Sequence, residues 1–128
     1  LRPQMIGVGP FIPHKDTPFR DFPPGTLEDT LFLLSLIRIM HPWVLLPATT
    51  ALGTIQPDGR EQGILAGANV VMPNISPEDA RRRYLLYDRK VDAGADAVKS
   101  RLLLQEKIEA IGYEVVVGRG DYKEDKES

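Results

Sequence analysis

Three short apolar stretches, residues 5–8 (MIGV), 44–47 (VLLP) and 68–72 (ANVVM), each stop at a proline-containing polar motif, and segments of helical spacing lie between them. Short strands alternating with helices constrain a chain to an α/β fold built on a parallel sheet with right-handed crossovers. In such a sheet all strands end on one edge, so the motifs GPFIPH, PATTALG and MPN are expected to converge on one site. The middle motif is the most informative. It brings the adjacent hydroxyls of Thr49 and Thr50 to the tip of a buried strand, which would hold them rigidly for a ligand. The competing reading is an ordinary strand-to-helix loop with Thr as its cap. Pro47, having no N–H, is expected to limit the ladder.

The bulk numbers exclude several classes. At 128 residues, 42% hydrophobic and 27% charged, the chain has the size and mixture of one soluble globular domain. A net charge of −2 gives no electrostatic case for nucleic acid. The absence of cysteine rules out disulfides, zinc–thiolate sites and any Cys-held iron–sulfur cluster on this chain. The longest apolar run, residues 31–40, contains Ser35 and Arg38 and is too short to span a bilayer. No signal-peptide pattern opens the sequence, which implies a cytoplasmic setting. Its start at Leu1, almost directly in a strand, suggests a piece of a longer polypeptide.

The remaining elements follow in order. Residues 9–25 carry five prolines between Pro10 and Pro24, and Phe11 and Ile12 at the start favour a stiff, packed, functional loop. Thr26 with Asp29 three residues on nearly matches a capping box, opening a helix that Pro42 ends. That helix is apolar almost all round and should be covered on more than one side. A turn at residues 57–59 leads to a short helix from about Arg60 to Gly67. Ser76 and Pro77 start a helix to about Tyr87. Residues 90–96 read as a loop, residues 97–110 as a long helix closed by Gly112, and residues 113–117 (YEVVV) as a further short strand or extended edge segment. The charged tail 123–128 should be disordered.

Taken together, GPFIPHKDTP at 9–18, PATTALGT at 47–54 and GANVVMPN at 67–74 resemble the C-terminal part of the radical S-adenosylmethionine (radical SAM) maturases of [FeFe]-hydrogenase. Biotin synthase and methylornithine synthase share the broader pattern, with its biotin and thiamin synthesis associated region. The resemblance runs to about Asp121. It implies a partial (β/α)8 TIM barrel: the last three β/α units with parallel strands plus a C-terminal helical extension. Residues 1–121 would be that barrel part and 122–128 a tail.

The resemblance further implies that Phe11 and Ile12 lie against the adenine of S-adenosylmethionine, with His14 following at the barrel mouth. Thr49 and Thr50 would meet a carboxylate or other anionic group of a small-molecule substrate. Met72 and Asn74 would line the cavity, and Tyr84 and Tyr87 would approach from the next helix. Asp88-Arg89 stands where the maturases tend to have Pro-Gly, a departure that bears on Tyr87. The family's CxxxCxxC loop, which holds a [4Fe-4S] cluster, is missing. On this reading the chain is not catalytic alone and requires the rest of the barrel or self-association, with no nucleic acid or membrane partner. The alternatives are a biotin synthase-like or methylornithine synthase-like fragment, or an independent α/β module that binds an anion or a partner protein.

Among single residues, the Thr hydroxyls are read as binding groups, since a hydroxyl needs a nearby base to act as nucleophile. His14 is favoured as structural, His41 as a helix cap, residues 81–83 (RRR) as a solvated face, and Arg119-Gly120-Asp121 as a chance tripeptide.

Overall fold

The computed structural model describes residues 2–73 and 97–122. The expected helix 76–87, the loop 90–96 and the tail 123–128 lie outside them. The elements in chain order are α1 (Leu27–Met40), β1 (Pro47–Ala48), α2 (Thr50–Ile55), α3 (Gly59–Leu65), β2 (Val70–Val71) and α4 (Ala97–Ala110).

The sheet is parallel, as the alternation of strands and helices required. β1 pairs with β2 in the register Pro47↔Val70 and Ala48↔Val71. On the other side, Met5 makes a parallel bridge to Leu45. There the Ile6 N–H donates to the Leu45 carbonyl and the Leu45 N–H to the Gln4 carbonyl, both at 3.0 Å. The three apolar stretches therefore lie side by side and point the same way, but they are shorter than expected. The first contributes one bridge rather than a strand over 5–8, and the ladder of the second runs through Pro47 to Ala48. Proline is tolerated because the Val70 N–H donates to the carbonyl of Leu46, one residue earlier, at 3.3 Å. Before Val70, the Asn69 side chain enters the ladder: its Oδ1 accepts from the Leu46 N–H at 2.8 Å. A side chain thus stands where backbone pairing would otherwise extend the strand. The architecture is mixed α/β, with a small parallel sheet.

α1 begins as its sequence dictates. The Thr26 hydroxyl accepts from the Asp29 N–H at 3.1 Å and donates to the Asp29 carboxylate at 2.7 Å. At the other end the His41 N–H donates to the Ile37 carbonyl at 2.8 Å, in the capping position expected of it. Among the described residues, one face of α1 is covered, through Thr30 and Leu34, with Leu27, Leu31 and Ile37 packed at the margin. Phe32, at 68% exposure, and Ile39, at 77%, leave the opposite face open, contrary to the cover expected on more than one side.

Gly67 and Gly112 end α3 and α4 with positive φ, +115° and +86°. In each case two N–H groups fold back onto the last turn: Gly67 to Ile64 and Ala68 to Gly63, then Gly112 to Glu109 and Tyr113 to Ile108. This double return needs a left-handed residue, which glycine supplies without strain. Arg38 then fastens α1 to α3, its Nε donating to the Gly67 carbonyl at 2.7 Å while Ser35 Oγ donates to the Ala66 carbonyl at 3.0 Å.

The core sits between the strands and α1, α3 and α4. Leu34, Leu46 and Leu52 are fully buried, joined by Val44, Ile64, Leu104 and Ile108. Residues 113–117 form no strand among the described residues; Val115 packs on the core while Val116 and Val117 are exposed.

Candidate ligand site at the strand ends

Parallel pairing puts the residues that follow each strand, Gly9, Thr49 and Met72, on one edge of the sheet. The loop after the first stretch is less packed than its prolines and aromatics indicated: residues 15–24 are exposed, and its phenylalanines touch one another rather than the core. The Gly25 N–H donates to the Phe11 carbonyl at 2.8 Å and closes its neck. Inside, Phe11 stacks edge-on to Phe19 at 6.5 Å, and Phe19 to Phe22 at 5.4 Å. His14 lies in a turn of this loop, with Nδ1 accepting the Asp16 N–H at 3.2 Å, consistent with the structural role favoured for it.

The two threonines, read as a pair, differ in the structure. Thr49 occupies the N-cap position of α2, yet its hydroxyl makes no capping bond. Its Oγ1 is buried and has no hydrogen-bond partner among the described residues. Gly9 lies directly over it, so closely that a Cβ added there would come within 2.6 Å of Oγ1. Thr50 is the first residue of α2, keeps partial exposure, and offers its carbonyl to the Thr54 hydroxyl at 3.0 Å. α2 answers to the competing reading, a strand-to-helix loop with Thr at the cap position, though without the capping bond; its span to Ile55 is hidden because VLLPATTALG reads as a strand tip and Gly53 as its end. The signal for a helix was the small-residue run TALGT after a cap-type residue.

Ile12 is half-buried in a groove of about 630 Å³ between the first loop, the start of α1 and the end of α2. Pro13 and Ile55 give it apolar walls, and Thr26, Thr54 and Gln56 add polar groups. Thr49, Thr50 and Met72 do not line this groove; Met72, just past β2, is half-exposed. The expected site residues Asn74, Tyr84 and Tyr87 lie outside the described residues. Thr54 and Gln56 were not singled out in the sequence, whereas the glycines at 7 and 9 are read as permitting close backbone approach, which the structure shows at Gly9 and not at Gly7.

At the turn between α2 and α3, the Asp58 carboxylate is held below its ordinary range, chiefly by the Gln62 side chain donating to it at 2.9 Å and then by Gln56. Arg119 and Asp121, both exposed, pair with each other at 3.3 Å. Among the described residues no helix is long and apolar enough to cross a membrane, and no group of His, Cys, Asp or Glu side chains could hold a metal ion.

The parallel sheet gathers Gly9, Thr49 and Met72 at one edge, the edge at which α/β sheets commonly carry their ligand sites. Comparison with known proteins is more specific. Over 87 residues, 68% of this chain and 25% of the relative, it is 49% identical to the [FeFe] hydrogenase maturase subunit HydE of Thermotoga maritima. It is 32% identical over 98 residues to the 3-methylornithine synthase of Methanosarcina barkeri, covering 77% of this chain and 27% of that one. Against the Methanosarcina acetivorans enzyme of the same name it is 30% identical over 113 residues, covering 88% and 31%. The chain belongs to the radical SAM family that includes the HydE maturase subunit. It spans roughly a quarter to a third of the length of these relatives. No family model matches it.

Proposed function

We propose that the chain supplies the S-adenosylmethionine- and substrate-binding loops of a radical SAM enzyme that takes part in [FeFe]-hydrogenase H-cluster maturation. The observation that carries this reading is the 49% identity to the maturase subunit, coupled with three parallel strand ends that bring the shared motifs to one edge. The full-length parent would be a (β/α)8 barrel in the cytoplasm, and this chain its last three β/α units plus a C-terminal extension. The matches to two 3-methylornithine synthases favour a second reading, a fragment of an enzyme of that type, which differs in substrate but not in cofactor.

The residues present fit one part of the cofactor set and not the other. The groove beside Ile12, with apolar walls and the Gln56 and Thr26 polar groups, suits a flat ring with polar edges such as adenine; Phe11 precedes Ile12 in the chain but is not among the residues that line it. A [4Fe-4S] cluster does not fit, because the chain contains no cysteine to bind it. Reductive cleavage of S-adenosylmethionine draws its electron from such a cluster, so catalysis belongs to an assembly in which another part of the barrel holds it.

Within that assembly, this chain binds and orients. The Thr50 hydroxyl, and the Thr49 hydroxyl once the Gly9 backbone moves off it, would donate to a carboxylate or other anionic group of the substrate. Met72 and Asn74 would wall the cavity, with Tyr84 and Tyr87 beyond. Titration of ¹⁵N-labelled chain with S-adenosylmethionine, and separately with amino-acid carboxylates, tests the division. S-adenosylmethionine should shift the amides of Phe11, Ile12 and Gln56, and carboxylates those of Thr49 and Thr50. Shifts confined to residues away from the strand ends would reject it.

A further inference from the structure

The sides of α1 have different fates. Thr30 and Leu34 are buried against the core, while Ser35 and Arg38 turn to the end of α3 and donate to the Ala66 and Gly67 carbonyls. At about 100° per residue, Phe32 and Ile39 stand roughly 140–160° round the helix from Leu34, the direction that leads away from the sheet. They are the most exposed large apolar residues of the helix, in keeping with that direction. Leu36 and Met40, and Trp43 just past the helix, are also exposed and extend the apolar surface. Between Thr30 and Met40 Arg38 is the one charged residue, and the carbonyls of Gly67, His41 and Pro42 hold its Nε and Nη1. The outward side of α1 therefore carries no charge to solvate it.

We propose that this side of α1 is a homodimer interface, packed against the same helix of a second copy of the chain, antiparallel across a two-fold axis. Phe32, Leu36, Ile39 and Trp43 recur at steps of four, three and four, the spacing of a seam between two packed helices. The series of steps reads the same in both directions. An antiparallel copy thus meets it in register, Phe32 against Trp43 and Leu36 against Ile39, each pair formed twice as a two-fold interface requires. Antiparallel packing also sets the positive end of each helix dipole beside the negative end of the other. With Leu33 and Met40, these side chains present roughly 600–700 Å², more than the ~300–600 Å² of a typical monomer's largest apolar patch and close to the ~800 Å² per partner of a standard interface. A further helix in the same layer as α1 would stand on the flank opposite α3, against Leu33 and Met40. It would leave Phe32 and Ile39 uncovered, whereas a copy approaching from outside covers both.

The test uses the full chain. Sedimentation equilibrium at high micromolar concentration should give the mass of a dimer, and a monomer there would overturn the proposal. The chain contains no cysteine, so introduced thiols report without interference. Phe32→Cys and Trp43→Cys chains, mixed and oxidised, should give mainly the mixed disulfide. Preferential linking of Phe32→Cys chains to one another would mean parallel packing and overturn the proposed axis. Charge variants supply a second readout: Leu36→Glu with Ile39→Glu, and Leu36→Lys with Ile39→Lys. Both positions are exposed, so each double variant should keep its helical circular dichroism, sediment as a monomer alone, and regain the dimer when the two are mixed. Dimers of either variant alone, or monomers in the mixture, would overturn the proposal. So would dissolution of the dimer by the cluster-bearing remainder of the Thermotoga maritima maturase with protection of the Phe32 and Ile39 amides, which would give this face to another part of the enzyme.

Discussion

Gly9 and Thr49 meet so closely that the two residues should be treated as one device. Gly9→Ala would force its methyl group into Thr49 Oγ1, and we expect a loss of about 1–3 kcal/mol in urea unfolding from overpacking. Thr49→Val keeps the shape and removes a buried hydroxyl that has no partner, so stability should stay level or rise by about 1 kcal/mol. The same change should weaken carboxylate binding, because the hydroxyl held in reserve is then gone. A variant that loses stability and keeps full binding would show that the hydroxyl is structural. Asp58 gives a pH signature of modest size, since it is fully exposed. Its folded-state value is lowered by Gln62 and Gln56, so its stabilising contribution is complete above the ordinary carboxylate value near ~4 and is lost as pH falls through the lowered one. Asp58→Asn should flatten the acid limb of a stability–pH curve, and an unchanged limb would deny the interaction.

The elements show where local sequence decides and where it does not. The start of α1 was legible in Thr26 and Asp29, and the ends of α3 and α4 in Gly67 and Gly112, because capping is chemistry between neighbours. Strand lengths were not. The first stretch shrinks to the Met5–Leu45 bridge, and Asn69 substitutes its side chain for backbone, both outcomes of pairing between distant segments. α2 was hidden for the opposite reason: a run of small residues after Pro47 carries no periodic pattern. Leu52, on α2 and fully buried, is the strongest lever on this region, and Leu52→Ala should cost about 2–5 kcal/mol by urea unfolding. The outer face of α1 is the converse case. Replacing Phe32 and Ile39 with serine should change the stability of the chain alone by no more than about 0.5 kcal/mol each, yet reduce its self-association in sedimentation at high concentration. Equal association by the double variant would show that this face is not the one that seeks a partner.

At the scale of the whole molecule, the parallel direction of the strands was readable from the alternation of strand and helix, and the meeting of their ends followed from it. The composition of the site was only partly readable. Ile12 sits in a groove, whereas Thr49 is shut beneath Gly9, a contact between residues forty positions apart that no local pattern carries. The outer face of α1 is exposed and the first stretch is held by one bridge at Met5, while the relatives are three to four times as long as the part they share with this chain. The proposed division of labour, binding loops here and the cluster elsewhere, is tested most directly by measuring 5′-deoxyadenosine formed from S-adenosylmethionine and a reductant. The chain alone should form none, and the chain mixed with the reconstituted, cluster-bearing remainder of the Thermotoga maritima maturase should form it continuously; sustained formation by the chain alone would contradict the account.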